Sequence, residues 1–182
     1  MNFTFEPQGI PDVILIRRKL HKDGRGCFSE SYRRTAFDAA GITADFVQDN
    51  VASSSQHVLR GLQYQLPPHT QGKLVWVSRG EIWDVVVDLR RQEPTYGKRV
   101  ATRLTANGGE MIWAPPGFAH GYLVLSQIAD VAYKVTAEYE PTAEQGIRWD
   151  DPELQLGWPA VEPVLSEKDR VLPTLSEADS PF

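Results

Sequence analysis

The chain of 182 residues predicts an all-β fold, a sandwich or small barrel with the jelly roll as first choice. Three observations lead there. Short alternating or apolar runs recur about eight to ten times, Gly and Pro corners separate them, and only one early helix and a C-terminal helical turn interrupt them. No internal repeat, low-complexity tract or heptad seam competes. With 41% apolar residues the chain can bury one good core. That predicts a single domain over 1–182, with an N-terminal strand segment over about 1–50 and a C-terminal tail over about 160–182.

The first strand expected is Asp12–Arg17, bounded by Pro11 and followed by basic residues. Asp23-Gly24 and Gly26 then signal a turn, after which Cys27, Ser29 and Ser31 alternate with Phe28, Glu30 and Tyr32. Thr35–Ala40 reads as a helix of about two turns closed by Gly41. Ser53-Ser54-Ser55 reads as a polar connection.

Val58–Arg90 carries the densest apolar, β-branched and aromatic packing, as three strands. The last two meet at Arg79-Gly80, where a short hairpin needs a residue that tolerates positive φ. Arg60, Lys73, Asp84 and Asp88 sit among these apolar residues, and burying them unpaired would be costly. A strand core that carries charges predicts a pocket as well as a scaffold. Lys98–Thr105 alternates as a half-buried strand, and Asn107-Gly108-Gly109 turns it into the next. Pro115-Pro116-Gly117 must break that strand and start another at FAHGYLVLS, and Ile128–Tyr139 is strand by pattern.

Composition narrows the function classes. Acidic residues number 24 against 19 basic, a net charge of −5 that argues against a nucleic-acid surface but leaves room for a local basic cluster around a small anion. Cys27 is the only cysteine, so no intrachain disulfide can form. No basic start with a long apolar run and no stretch of about 18 apolar residues is present, which predicts a soluble cytoplasmic protein without membrane contact. Histidines at 21, 57, 69 and 120 are too scattered for a metal site, and no GxGxxG or GxxxxGK[ST] is found, so neither metal nor cofactor is expected.

RGLQYQ, QGKLVWVSRGEIWDVVVDLR, PPGFAHGYLVLS, YKVTAEYEP and GIRWDDPELQLGWP occur in this order, with DGRGCFSESY and FVQDN nearer the start. Together they resemble the dTDP-4-dehydrorhamnose 3,5-epimerase family from about Phe3 to Asp169. The resemblance implies a cupin-type jelly roll, a homodimer that shares N-terminal strands, and no cofactor. It also implies epimerisation at C3, C5 or both of a dTDP-linked 4-keto-6-deoxy sugar through an enolate.

The catalytic expectations come from that resemblance. The family's RGLHYQ carries the histidine that removes the proton, and this chain has Gln63 there. An amide has no proton-accepting state near neutral pH, and a positioned base contributes about 10² to 10⁴ in rate. A second departure is Val51, where the family has histidine after QDN. His57 lies six residues before Gln63, roughly 20 Å along an extended strand, too far to substitute unless the chain folds back. Tyr133 is implied to be the acid that returns a proton from the opposite ring face. Without the resemblance it is a strand tyrosine with one hydroxyl partner. Lys73 is implied to stand beside the enolate; otherwise it is an exposed lysine at a strand start. Asp169 is implied to support the histidine, yet Ser166 to Asp169 also reads as a helix cap. If Asp169 faces Gln63, it becomes the replacement base.

For binding, the resemblance implies Arg25, Phe28, Glu30, Gln48 and Asn50 at the nucleotide end, Arg60 on the diphosphate, and His120 and Tyr139 near the ligand. Phe28 reads equally as a core aromatic. Residues 60 and 63 differ by an odd number and would face opposite ways on an unbroken strand, so an irregularity at Gly61 is expected. Two further readings stand beside the epimerase: a homologue that binds a sugar nucleotide without epimerising it, and an active enzyme with Gln63 introduced to trap substrate.

Overall fold

The computed structural model describes residues 2–178 and 181–182. Its first strands are β1 (Phe3–Pro7), β2 (Ile14–Arg18), β3 (His21–Asp23) and β4 (Gly26–Phe28), followed by helix α1 (Arg34–Ala39). Next come β5 (Gln48–Ser55), β6 (Leu59–Gln65), β7 (Lys73–Arg79), β8 (Glu81–Asp88) and β9 (Arg99–Thr105). The last strands are β10 (Glu110–Ala114), β11 (Phe118–Val124), β12 (Ile128–Val135) and β13 (Glu144–Gly146), and α2 (Glu167–Arg170) lies near the end. The fold is the expected jelly roll, a six-stranded sheet ordered β1-β2-β10-β7-β12-β5 over a five-stranded sheet ordered β13-β6-β11-β8-β9. No helix among the described residues is long and apolar enough to cross a membrane.

Alternation along each strand divides the apolar residues between three layers. Val75, Val77, Ile82, Val86, Ile112, Phe118, Val124 and Val131 meet between the sheets. Each side chain so buried stabilises by about 1.5–3 kcal/mol. On the outer face of the larger sheet, Phe37 of α1 packs with Ile16, Leu74, Met111 and Trp113. Against the outer face of the smaller sheet, the chain after β13 lays Leu154, Leu156 and Leu175 on Leu62, Tyr64, Val85 and Val87. Residues that neighbour these in sequence, Gln63 and Asp84 among them, therefore turn inward.

Two expectations are corrected. The strand count exceeds eight to ten, because β1 and β13 also pair. Ser53-Ser54-Ser55 is not a connection but the end of β5, which pairs with β12 over its whole length, from Gln48↔Val135 to Ser55↔Ile128. Serines suit that place because β5 is an edge strand with one face exposed. The hairpin turn at Gly80 has the expected positive φ, +81°.

Candidate active site

Where the apolar filling between the sheets stops, a polar cavity opens. Its outer lobe, about 300 Å³, is lined by Gln48, Asn50, Gln63, Lys73, Tyr133, Tyr139 and Glu144, with Gln65 and Gln71 at its margin. An inner lobe of about 120 Å³ shares Gln63, Lys73 and Tyr133 and adds Arg60, His120 and Tyr122. Strand register explains the convergence. From the larger sheet, Tyr133 pairs with Asn50 and Val135 pairs with both Gln48 and Lys73, so these polar residues share the inner face. From the smaller sheet, His120 pairs with Gln63 and Tyr122 with Arg60.

That last pairing contains the irregularity expected at Gly61. The paired residues are two positions apart on β11 and three on β6, a bulge that turns both Arg60 and Gln63 inward. Gly61 has φ of +113°, and a Cβ there would lie 2.7 Å from Gly121 Cα and from the His120 carbonyl oxygen. Only glycine fits the crossing.

Gln63 and His120 are each held by a carboxylate. Gln63 Nε2 donates to Asp169 Oδ1 at 3.0 Å. Asp169 Oδ2 accepts from Ser166 Oγ at 2.7 Å, while Ser166 Oγ accepts from the Asp169 amide at 3.1 Å, so Asp169 both caps α2 and holds Gln63. Being 3% exposed and occupied at both oxygens, it lies behind the amide and lines neither lobe. His120 Nε2 lies 2.8 Å from Asp84 Oδ2 on β8, and both side chains are buried. Asp84 Oδ1 is buried without a partner.

The remaining groups set the electrostatics. Lys73 Nζ donates to the Gln63 carbonyl at 3.4 Å. Burial lowers its pKa to about 8, against the raising influence of Glu144 and Asp84. Burial raises the Tyr133 phenol, with Glu144 adding to the effect and Arg60 opposing it, so the hydroxyl keeps its proton. Tyr122 is pushed up to about 12, chiefly by burial. Tyr139 donates to Glu144 Oε2 at 2.5 Å and is also raised to about 12, first by that bond. Burial works to raise the Glu144 carboxyl, but Lys168, Tyr139 and Lys73 outweigh it and hold the group low. Arg60 Nε donates to Ser54 Oγ at 3.1 Å, and the residue is otherwise exposed.

Of the residues expected in the site, Gln48, Asn50, Arg60, Gln63, Lys73, His120, Tyr133 and Tyr139 line the cavity. Arg25, Phe28 and Glu30 do not. Arg25 and Phe28 border a separate hollow on the exposed β3–β4 hairpin, and Glu30 is tied to Asn2 and Arg33. Phe28, 69% exposed, is no core aromatic. Val51 is 74% exposed on the outward face of β5, so that departure leaves this chain's cavity untouched. His57 sits at a turn after β5 and lines neither lobe. Glu144, Gln65 and Tyr122 were not anticipated; Tyr122 alone had a signal, two residues from His120 on one strand face. Asp88, flagged with Asp84, is paired with Arg90 and Thr95 away from the cavity.

Comparison with known proteins adds an independent line. Residues 7–177 match the family described as dTDP-4-dehydrorhamnose 3,5-epimerase. A protein of that name from Pseudomonas aeruginosa is 49% identical over 172 residues, 93% of this chain and 94% of its own. The crystal structure of dTDP-6-deoxy-D-glucose-3,5-epimerase from Legionella pneumophila, in complex with dTDP-4-keto-L-rhamnose, superposes with a TM-score of 0.94 at 43% identity, covering 97% of this chain and 95% of that one. A 3'-monoepimerase from Streptomyces bikiniensis, in complex with dTDP-quinovose, gives 0.88 at 32% identity, covering 93% and 87%.

Proposed function

This chain belongs to the dTDP-4-dehydrorhamnose 3,5-epimerase family, and from that premise we propose that it is a cytoplasmic, cofactor-independent epimerase. It acts at C3, C5 or both of a dTDP-linked 4-keto-6-deoxy sugar. The observation that carries this reading is the convergence of Arg60, Lys73 and Tyr133 on one cavity with Gln63 in the place of the family's base.

Each residue has work suited to its chemistry. A hydrogen on the carbon beside a ketone is removed when the negative charge left on the keto oxygen is stabilised, and the Lys73 ammonium supplies the opposing positive charge. Tyr133, protonated and on the opposite sheet from Gln63, returns a proton to the other ring face, which is what inversion requires. Arg60, exposed and lining the same lobe as Lys73 and Tyr133, takes the diphosphate with its planar donor fork. Gln63, with one Nε2 hydrogen given to Asp169, offers its carbonyl oxygen to a sugar hydroxyl or a water.

We also place Arg25, Phe28 and Glu30 at the nucleotide end of a partner's cavity in a homodimer. The hairpin that carries Arg25 and Phe28 is exposed throughout, and β5 is an open sheet edge, both of which a second copy would cover. Light scattering that returned a monomer would remove this placement.

A specific observation favours one second reading, binding without epimerisation: the amide at position 63. The two separate in D₂O with dTDP-4-keto-6-deoxyglucose, followed by NMR. Loss of the proton signal at C3, C5 or both is the expected result and identifies the carbon. Tight binding with both signals intact after prolonged incubation would leave only the binding module.

A further inference from the structure

We propose that His120, positioned by Asp84, is the base that removes the carbon-bound proton in this chain. The inference rests on the epimerase reading, because it supplies a step that Gln63 cannot perform. A group qualifies as base if it reaches the cavity, can accept a proton near neutral pH, and stands on the side opposite the acid.

The residues lining the two lobes leave few candidates. Arg60 stays charged. Tyr122 and Tyr139 hold their protons, Tyr139 while bonded to Glu144. Glu144 accepts from Tyr139 and pairs with Lys168, which engages its Oε2 and makes it a weak base. Lys73 cannot give up its proton and also face the enolate as an ammonium, and it shares the larger sheet with Tyr133. Asp169 lies behind Gln63. His120 is the remaining group, and it is the only imidazole on either lobe.

Its geometry suits the task. His120 and Gln63 are direct partners on antiparallel strands, so their side chains leave the same face about 4.5–5.5 Å apart at Cβ. The substrate carbon that would meet a base at position 63 is therefore within a small shift of the neighbouring ring. Both residues stand on the smaller sheet, across the cavity from Tyr133 on the larger, which puts base and acid on opposite sides of the sugar. Asp84 accepts from Nε2–H and so fixes the tautomer in which Nδ1 carries the lone pair. Asp84 Oδ1 has no other partner, so the carboxylate keeps charge in reserve for the imidazolium as it forms. The step balances without an oxidant. Nδ1 takes the proton, the C–H electron pair becomes the enolate with its charge on the keto oxygen facing Lys73, Tyr133 protonates the opposite face, and the imidazolium proton returns to the phenolate directly or through water.

Deuterium exchange at C3 and C5 tests this in four proteins: wild type, His120→Asn, Asp84→Asn, and His120→Asn combined with Gln63→His. His120→Asn is expected to slow exchange by about 10² to 10⁴ while dTDP still binds, and Asp84→Asn to slow it by a smaller factor. Gln63→His in the His120→Asn background is expected to restore exchange, because it rebuilds a base against Asp169; a damaged cavity would not recover this way. Exchange in His120→Asn within about twofold of wild type would overturn the proposal and leave the epimerase intact. No exchange in wild type with binding retained would overturn both. If His120→Asn fails to bind dTDP, His120→Gly with and without added imidazole decides, rescue supporting the base and no rescue overturning it.

Discussion

Two side-chain pairs stand side by side on β6 and β11, each ending in a buried carboxylate. Gln63 leans on Asp169, His120 leans on Asp84, and the backbones of Gln63 and His120 are register partners. The supporting arrangement is the same in both, yet the chemistry that each can perform differs, because an imidazole trades protons near neutrality and a primary amide does not. A carboxylate behind a side chain is thus no sign of a base by itself; the atom in front of it decides. Asp169 has a second occupation as acceptor for Ser166 at the α2 cap, which explains how it keeps its place without an imidazole to serve.

The largest effect is expected on the acid, which both versions of the base require: Tyr133→Phe should lower product formation by about 10² to 10⁴, measured by coupling product to a reductase. Deuterium wash-in from the base side should persist in that variant. Next is the restoration of the silent pair. Gln63→His should raise kcat at least about tenfold, since it adds a second positioned base; an unchanged rate would mean that the bound sugar no longer meets position 63. Acidity offers a third test. If Lys73 acts as the ammonium, kcat/KM should fall as pH rises through its pKa of about 8. Lys73→Met should show a low rate without that limb. The smallest effect is expected at Asp169→Asn, which should change kcat by less than about threefold because an amide has no tautomer to fix. The same change in the Gln63→His variant should cost about tenfold or more. Equal costs in both backgrounds would mean that Asp169 works through the helix cap alone.

Much of this was legible before any coordinates. Strands β6, β8, β9 and β11 of the smaller sheet and the β7–β8 hairpin follow from apolar runs broken at glycine and proline, the strongest local signals a chain carries. The bulge at Gly61 followed from parity once the family resemblance had put Arg60 and Gln63 in one pocket: two residues at an odd spacing that face one pocket require an extra one between them. Edge strands were harder to read. The serines of β5 resemble a linker because an edge strand needs no apolar outer face, and their pairing with β12 depends on residues about 75 positions away. The site was legible where a residue lies on a strand, whose register fixes its direction. Arg25, Phe28 and Glu30 lie on a hairpin and loop outside the two main sheets, where no pairing with the cavity strands fixes which way a side chain points. Asp84 was visible as a costly charge in an apolar strand, but its partner was hidden by cross-strand pairing.

The crossing of Gly61 over Gly121 ties two jobs together. A Cβ on Gly121 would stand 2.7 Å from the Arg60 carbonyl oxygen, as one on Gly61 would from the His120 carbonyl oxygen. A methyl at either position would act as a wedge between the strand that carries Arg60 and the strand that carries His120. Affinity for the nucleotide and speed of the carbon chemistry should then decline as one, and adaptation of this scaffold to a bulkier sugar would have to come from the facing sheet.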